Sequence, residues 1–323
     1  MKDVSWFSLP PLQEWYFKYR NPNYKILPPF LPDCIEGNQN NMDFIYPKEN
    51  SSILIPKGLD GVKSSTIFHA VHQNKNASIF YTDTGKGTTI VLLHGFLENA
   101  SMWNEIASEL SKRNRVVTID LLGHGRSDCL GYVHSMELFA EVLEAVLKQL
   151  RIRRCILVGH SLGGYVALSF AERNPQKVKG LCLLNSTSNE DSHERKQLRT
   201  RANAMIQKNF TNLVRMSFTN LFSETSREKY VDQINRALNE ALQTSVQGYI
   251  AGQEGMKLRP NRNRVLAENN FKKMIIIGEK DPVLEVQKLK EEAENTNSKL
   301  IVFPDGHMSH IENTEALISV LKD

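Results

Sequence analysis

The sequence predicts an α/β fold: a mostly parallel twisted sheet with helices on both faces, an inserted helical cap, and a small irregular N-terminal extension. Three observations predict it. Short runs that are apolar throughout alternate with segments of helical periodicity, which is how strands buried on both faces read. Between Asn185 and about Asn270 that alternation gives way to helical stripes alone. Residues 1–75 carry neither pattern, so the chain divides into an extension over 1–75 and a regular domain over 76–323, with its cap over about 186–270.

The 323 residues are 41% hydrophobic, enough for one large domain plus something small. With 40 basic and 36 acidic residues, no bulk charge argument points to nucleic acid or a membrane surface. Cys34, Cys129, Cys155 and Cys182 form no C-x-x-C pair, so neither a zinc site nor a disulfide framework is expected. No apolar run reaches the length of a membrane span, and no signal pattern follows Met1. The expected compartment is cytoplasmic.

Proline and aromatic residues dominate the beginning of the chain, and short strand-like pieces follow at Ile53–Ile55 and Thr66–Val71. The carrying residues W-F-S-L-P-P (6–11), E-W-Y-F-K-Y (14–19), L-P-P-F-L-P-D-C (27–34), Ile45-Tyr46-Pro47, Ile55-Pro56 and Gly58-Leu59-Asp60-Gly61 resemble the C-terminal tail of C-type penicillin-binding proteins. The resemblance carries no catalytic residue across, and it leaves three readings of this part: a wall-associated interaction module, a fusion, or a mis-joined gene boundary. Ser226 to Lys229 satisfies S-x-x-K, but no Lys-Thr-Gly accompanies it, and Thr225 with Glu228 reads as a helix capping box.

From Ala77 the elements come in regular order. Ile79–Tyr81 is a strand with a turn at Asp83–Gly87, and Thr89–Leu93 is a second strand. A helix over Met102–Leu110 shows Trp103, Ile106 and Leu110 at helical spacing. A strand at Arg115–Ile119 and a loop over Asp120–Asp128 precede a long helix that Ser135 can cap, with its stripe at Leu138, Val142, Val146 and Leu150. The strand starting at Cys155 runs into Gly159-His160-Ser161-Leu162-Gly163, and helical spacing resumes at Val166. A strand at Gly180–Leu184 leads to the cap, whose stripes are Leu198, Ala202, Met205, Ile206 and then Tyr230, Ile234, Leu238, Leu242. The basic first cap helix (Arg195, Lys196, Arg199, Arg201, Lys208) reads as a solvated face. Strands at Lys273–Gly278 and Lys299–Phe303 and a helix over Thr314–Leu321 complete the chain.

G-x-S-x-G between a buried strand and a helix marks a serine held in a sharp turn, where side chains at the flanking positions would collide. Serine needs a base within reach and a third group to orient that base. In a parallel sheet those groups belong at strand ends on the same edge. Two ends qualify: Gly278-Glu279-Lys280-Asp281 and Pro304-Asp305-Gly306-His307.

With His94-Gly95-Phe96, Gly123-His124-Gly125-Arg126-Ser127, Gly278-x-x-Asp281 and Gly306-His307-Met308-x-x-Ile311-Glu312, residues 77–323 resemble an α/β-hydrolase. The resemblance implies Ser161 as nucleophile, His307 as base, Asp281 as its orienting acid, and the N–H groups of Phe96 and Leu162 as oxyanion donors. His310 is the rival for base, and Asp305 and Glu279 for acid. His94 is expected to shape the oxyanion loop, and His124, Arg126 and Asp128 to fix theirs. Asp120 reads as structural, Glu285 as first-turn helix charge, and His160 as pointing away from Ser161. Relatives that open epoxides place Asp at the elbow, so Ser161 implies acyl transfer, with no metal or organic cofactor. The reading is a serine hydrolase of a small carboxylic ester. Its alternatives are a thioesterase, lactonase or carbon–carbon bond hydrolase on the same triad, or a non-enzymatic wall-associated interaction protein.

Overall fold

The computed structural model describes residues 63–71 and 75–322, with side chains from Ala77 onward. The expectations placed on residues 1–62, including the penicillin-binding-protein resemblance and the strand at Ile53–Ile55, lie outside the described residues. The first described element, β1 (Lys63–Val71), pairs antiparallel with β2 (Lys75–Gly85). The sheet thus begins on the N-terminal side of residue 76.

Strand β2 continues through the turn expected at Asp83, to Gly85, because Asp83, Thr84 and Gly85 pair with β4 (Arg115–Ile119). The Arg115 guanidinium anchors that end by donating to both oxygens of Asp83, at 2.9 and 2.7 Å. Strands β3 (Thr89–Leu93), β5 (Cys155–His160), β6 (Val178–Leu184), β7 (Lys272–Gly278) and β8 (Lys299–Phe303) complete eight strands in the order β1-β2-β4-β3-β5-β6-β7-β8. All pairs from β4 onward are parallel.

Successive residues on each strand face opposite sides, so the sheet buries two cores. Val91 and Leu93 pack with α2 (Met136–Gln149) and α3 (Leu162–Arg173) on one face. Ile90 and Leu92 pack on the other against Trp103, α1 (Asn104–Leu110) and α11 (Thr314–Lys322). The helix expected over Met102–Leu110 is a 3₁₀ turn at Ala100–Trp103 followed by α1, and Asn99 caps the turn by accepting from Ser101 N–H at 2.9 Å. Ser135 caps α2 as expected, accepting from Leu138 N–H at 3.1 Å.

The cap lies between β6 and β7. It consists of α4 (His193–Ile206), α5 (Phe210–Thr219), α6 (Glu224–Lys229), α7 (Val231–Ala241), α8 (Val246–Leu258) and α9 (Asn263–Ala267). It has its own core, in which Ile206, Phe218, Phe222, Ile234 and Leu238 meet Leu97 and Met308 from the sheet side. The capping box expected at Thr225 is displaced: Ser223, in extended backbone at φ −63°, accepts from Ser226 N–H at 3.2 Å and is the true cap of α6. Ser226, buried, accepts a second bond from Ser223 Oγ at 2.7 Å. At the cap's end, Arg262 donates to Glu172 at 2.9 Å and pairs with Glu137, fastening the insertion to α3 and α2. Met205 and Leu198, two members of the stripe that spacing marks on this helix, are both more than half exposed.

Candidate active site

Gly159 and Gly163 explain the elbow between β5 and α3. A Cβ at Gly159 would lie 2.3 Å from the Gly163 carbonyl, and one at Gly163 would lie 2.2 Å from the Leu93 carbonyl. Between them Ser161 takes φ 47° and ψ −108°, a backbone that costs a non-glycine residue about 1–3 kcal/mol and survives only when its surroundings impose it. Here they do. Ser161 N–H donates to Leu184 O at 2.9 Å, and its carbonyl accepts from Ser186 Oγ at 2.7 Å and Gly164 N–H at 3.0 Å.

The ends of β7 and β8 bring Asp281 and His307 together. Asp281 Oδ2 accepts from His307 Nδ1 at 2.7 Å and from Asn185 Nδ2 at 3.0 Å. Its other oxygen accepts from the N–H groups of Val283 and Leu284 at 2.8 and 3.0 Å. Burial alone would raise the Asp281 pKa, but His307, Asn185 and Val283 together hold it below the ordinary value, so the carboxylate is ionised. With Nδ1 donating, the Nε2 of His307 is left as the ring's free position. His307 and Ser161 both line one cavity of about 260 Å³, together with Phe96, Leu97, Phe218 and Met256.

The rivals stand elsewhere. His310 is buried beside Glu98, with Nε2 3.3 Å from its Oε1, and is absent from the cavity wall. Burial lowers its pKa to about 4. Among the described residues neither Asp305 nor Glu279 has a side-chain bond to His307, and Glu279 is exposed. Glu285 is exposed at the start of α10 (Val286–Asn295) and pairs with Lys288.

Of the two residues expected to supply oxyanion donors, Leu162 follows Ser161 directly and Phe96 lines the same cavity as Ser161. Leu162 is the first residue of α3, where N–H groups lack an intrahelical acceptor. Phe96 follows His94-Gly95 in the loop after β3, and its ring packs on Tyr249 of the cap at 5.0 Å. His94 shapes that loop. Leu121 N–H donates to its Nε2 at 2.8 Å, so the proton sits on Nδ1 and is donated to Gly95 O at 2.7 Å. Burial lowers the His94 pKa to about 4 and keeps the ring neutral. Asp120 joins the next loop to the 3₁₀ turn, accepting from Ala100 and Arg126 N–H at 2.7 and 2.8 Å. Asp128 accepts from Ser78 N–H at 2.7 Å, and the Arg126 guanidinium lies over Phe80.

Sequence reasoning missed Glu98 and Asn185. Glu98 is buried, accepts from Gly95 N–H at 2.8 Å and pairs with His160 Nδ1 at 2.6 Å. His160 Nε2 in turn meets His307 O at 2.9 Å. Both partners of His160 are acceptors, so both ring nitrogens donate and the ring is an imidazolium. Burial opposes that charge, but Glu98 overcomes it and the net His160 pKa is raised. Burial likewise opposes ionisation of Glu98, and His160 with His310 brings its pKa down to about 2. Both members of the pair line the cavity, and His160 holds the backbone of His307. Glu98, His160 and His310 also place one ligand atom each within 4.8 Å of one another. The ion pair already occupies two of those positions, so the group reads as a salt-bridge network. Only a lone acid in a loop and an asparagine after a strand could have signalled these residues.

The profile of the alpha/beta hydrolase fold family matches residues 88–314, and the chain belongs to that family. Solved structures agree in fold. A thermophilic esterase from Thermogutta terrifontis in its malate-bound form superposes with a TM-score of 0.76 at 25% identity, over 80% of this chain and 97% of that one. The enol-lactonase from Burkholderia xenovorans gives 0.73 at 20% identity, over 80% and 98%. An uncharacterized protein of Mycobacterium tuberculosis is 39% identical over 119 residues, 37% of this chain and 34% of its own length. The chain therefore matches about a third of that relative. The pimeloyl-[acyl-carrier protein] methyl ester esterase of Nitrosomonas europaea is 38% identical over 34% of this chain and 42% of its own. Among the described residues no helix is long and apolar enough to cross a membrane.

Proposed function

We propose that the protein hydrolyses a small carboxylic ester through an acyl-enzyme on Ser161. The observation that carries this is the 2.7 Å bond between His307 Nδ1 and Asp281, in a histidine that shares the cavity wall with Ser161. His307 Nε2 removes the proton from Ser161 Oγ as the oxygen attacks the ester carbonyl. The N–H groups of Leu162 and Phe96 meet the oxyanion, each such donor contributing about 3–4 kcal/mol. Collapse expels the alcohol, which takes its proton from His307. A water activated by the same nitrogen then releases the acid.

The names of the relatives, esterases together with a lactonase, support this class. The alternatives of thioester, lactone or carbon–carbon substrate use the same residues. Turnover of a short p-nitrophenyl ester tests the reading. Ser161→Ala is expected to lose at least about 10⁴-fold in kcat, and a fluorophosphonate is expected to label wild type alone. Equal activity in wild type and Ser161→Ala, with no labelling, sinks it. The penicillin-binding-protein resemblance supports a wall-associating role within residues 1–75 that is separate from hydrolysis. A chain starting at Gly61 retains β1 and should keep full ester turnover, and loss of turnover would tie the segment to the hydrolase.

A further inference from the structure

Four charged side chains reach the cavity: Glu98, His160, Arg195 and Arg199. Glu98 is neutralised by His160. Arg199 is committed to Asp191, with Nε 2.5 Å from Oδ2, and donates to Gln253 Oε1 at 2.7 Å. Asp191 is itself buried and shared: its Oδ1 accepts from Arg259 at 2.8 Å, and that guanidinium stacks 3.9 Å above the Tyr165 ring. The third arginine is different. Arg195, one turn before Arg199 on α4, is half-buried, and among the described residues its guanidinium has no hydrogen bond or ion pair. Two guanidiniums thus share the Asp191 carboxylate, and Arg195, bonded to neither it nor another acid among the described residues, lines the cavity.

A partly buried guanidinium without a counter-charge is costly unless something supplies one. Burial, and then the like charge of Arg199, push the Arg195 pKa down, and arginine still keeps its proton. Its planar fork matches a carboxylate in two parallel bonds. The rest of the wall is largely apolar, with Leu198 and Ala202 from the same helix and Tyr165, Leu213 and Met256 around it. A cavity of about 260 Å³ suits a short chain between the two polar ends.

We propose that Arg195 forms an anion subsite, and that the preferred substrate is an ester carrying a free carboxylate a short alkyl chain from the scissile carbonyl. This rests on the serine-hydrolase reading for the position of that carbonyl. The carboxylate docks on Arg195, the alkyl chain lies along the apolar wall, and the ester reaches Ser161.

Monomethyl glutarate and methyl valerate have acyl chains of the same length and differ in the terminal carboxylate, so their kcat/KM ratio isolates the subsite. Wild type should favour monomethyl glutarate. Arg195→Gln should lower that ratio by about 10–100-fold, mainly through KM, as expected for losing a charge-assisted hydrogen bond, and Arg195→Lys should restore part of it. A ratio within about twofold of wild type in Arg195→Gln overturns the proposal. A second arm needs no turnover: Ser161→Ala should bind monomethyl glutarate, by calorimetry, at least about tenfold more tightly than Ser161→Ala/Arg195→Gln. Equal binding overturns the subsite. Ser161→Ala turnover at the wild-type rate would refute the nucleophile instead, and the calorimetry would still judge Arg195.

Discussion

At the scale of single residues, the most consequential interaction is the buried pair of Glu98 and His160. It joins the loop after β3 to the strand that delivers Ser161 and, through His160 Nε2, to the backbone of His307. Removing one member leaves the other charged and buried, which costs about 3–5 kcal/mol. Glu98→Ala is therefore expected to lower unfolding free energy in urea by about 3 kcal/mol. The double variant Glu98→Ala/His160→Ala should be no less stable than the worse single one, because no orphaned charge remains. Additive losses in that cycle would show that the two residues act independently. Neither partner was legible as such. The sequence separates them by 62 positions, and Glu98 belongs to no local period; its meaning comes wholly from the loop's return beneath β5.

At the scale of elements, the strand–turn–helix at Ser161 is the most constrained unit. Its test compares two glycines. Gly163→Ala drives a methyl group to 2.2 Å from the Leu93 carbonyl, a backbone atom in the central sheet that cannot move aside. Gly131, at φ +73°, has nothing within 4 Å of the added atom, so alanine there costs only the left-handed backbone, about 1 kcal/mol. Gly163→Ala is expected to cost at least about 2 kcal/mol more than Gly131→Ala and to abolish ester turnover. Comparable melting temperatures and activities in the two variants would show that the elbow is looser than its contacts imply. This unit was legible because its requirements are local: an apolar strand, two glycines and a resumed helical period follow one another directly in the chain. Strands β3, β4 and β8 were legible to the residue for a related reason, since strands covered on one or both faces show their burial directly in sequence. The end of β2 was not, because Asp83 looks like a turn residue until Arg115, 32 positions later, claims it. The inward faces of the cap helices were not legible either. A stripe such as Leu198, Ala202 and Met205 marks one side of a helix, and only packing decides that Leu198 and Met205 meet solvent.

At the scale of the whole molecule, buried histidines set how stability responds to pH. Burial lowers the pKa of His94 and His310 to about 4, and of His124 and His134 to about 3. In the unfolded chain each titrates near the model-peptide value of about 6.5. As pH falls from there, the unfolded state binds protons that the folded state refuses, so stability drops with falling pH, by up to about 1.4 kcal/mol per pH unit for each group. Glu98 adds to the acid side further down: its pKa is depressed to about 2, so its contribution is present above the unfolded carboxylate range and is lost as pH falls toward 2. His160 has the opposite sign. Its folded pKa is raised, so its contribution is complete below about 6.5 and is lost as pH rises through the folded value. Between pH 4 and 6.5 the His160 contribution is already complete and flat, so the slope there is that of the four lowered rings. The melting temperature is therefore expected to be clearly lower at pH 5 than at pH 7, and His94→Gln should flatten part of that slope even if it lowers stability at both values. A melting temperature equal at pH 5 and pH 7 would mean that these rings accept protons in the folded state, and that His94 does not hold the loop after β3 as a neutral donor to Gly95.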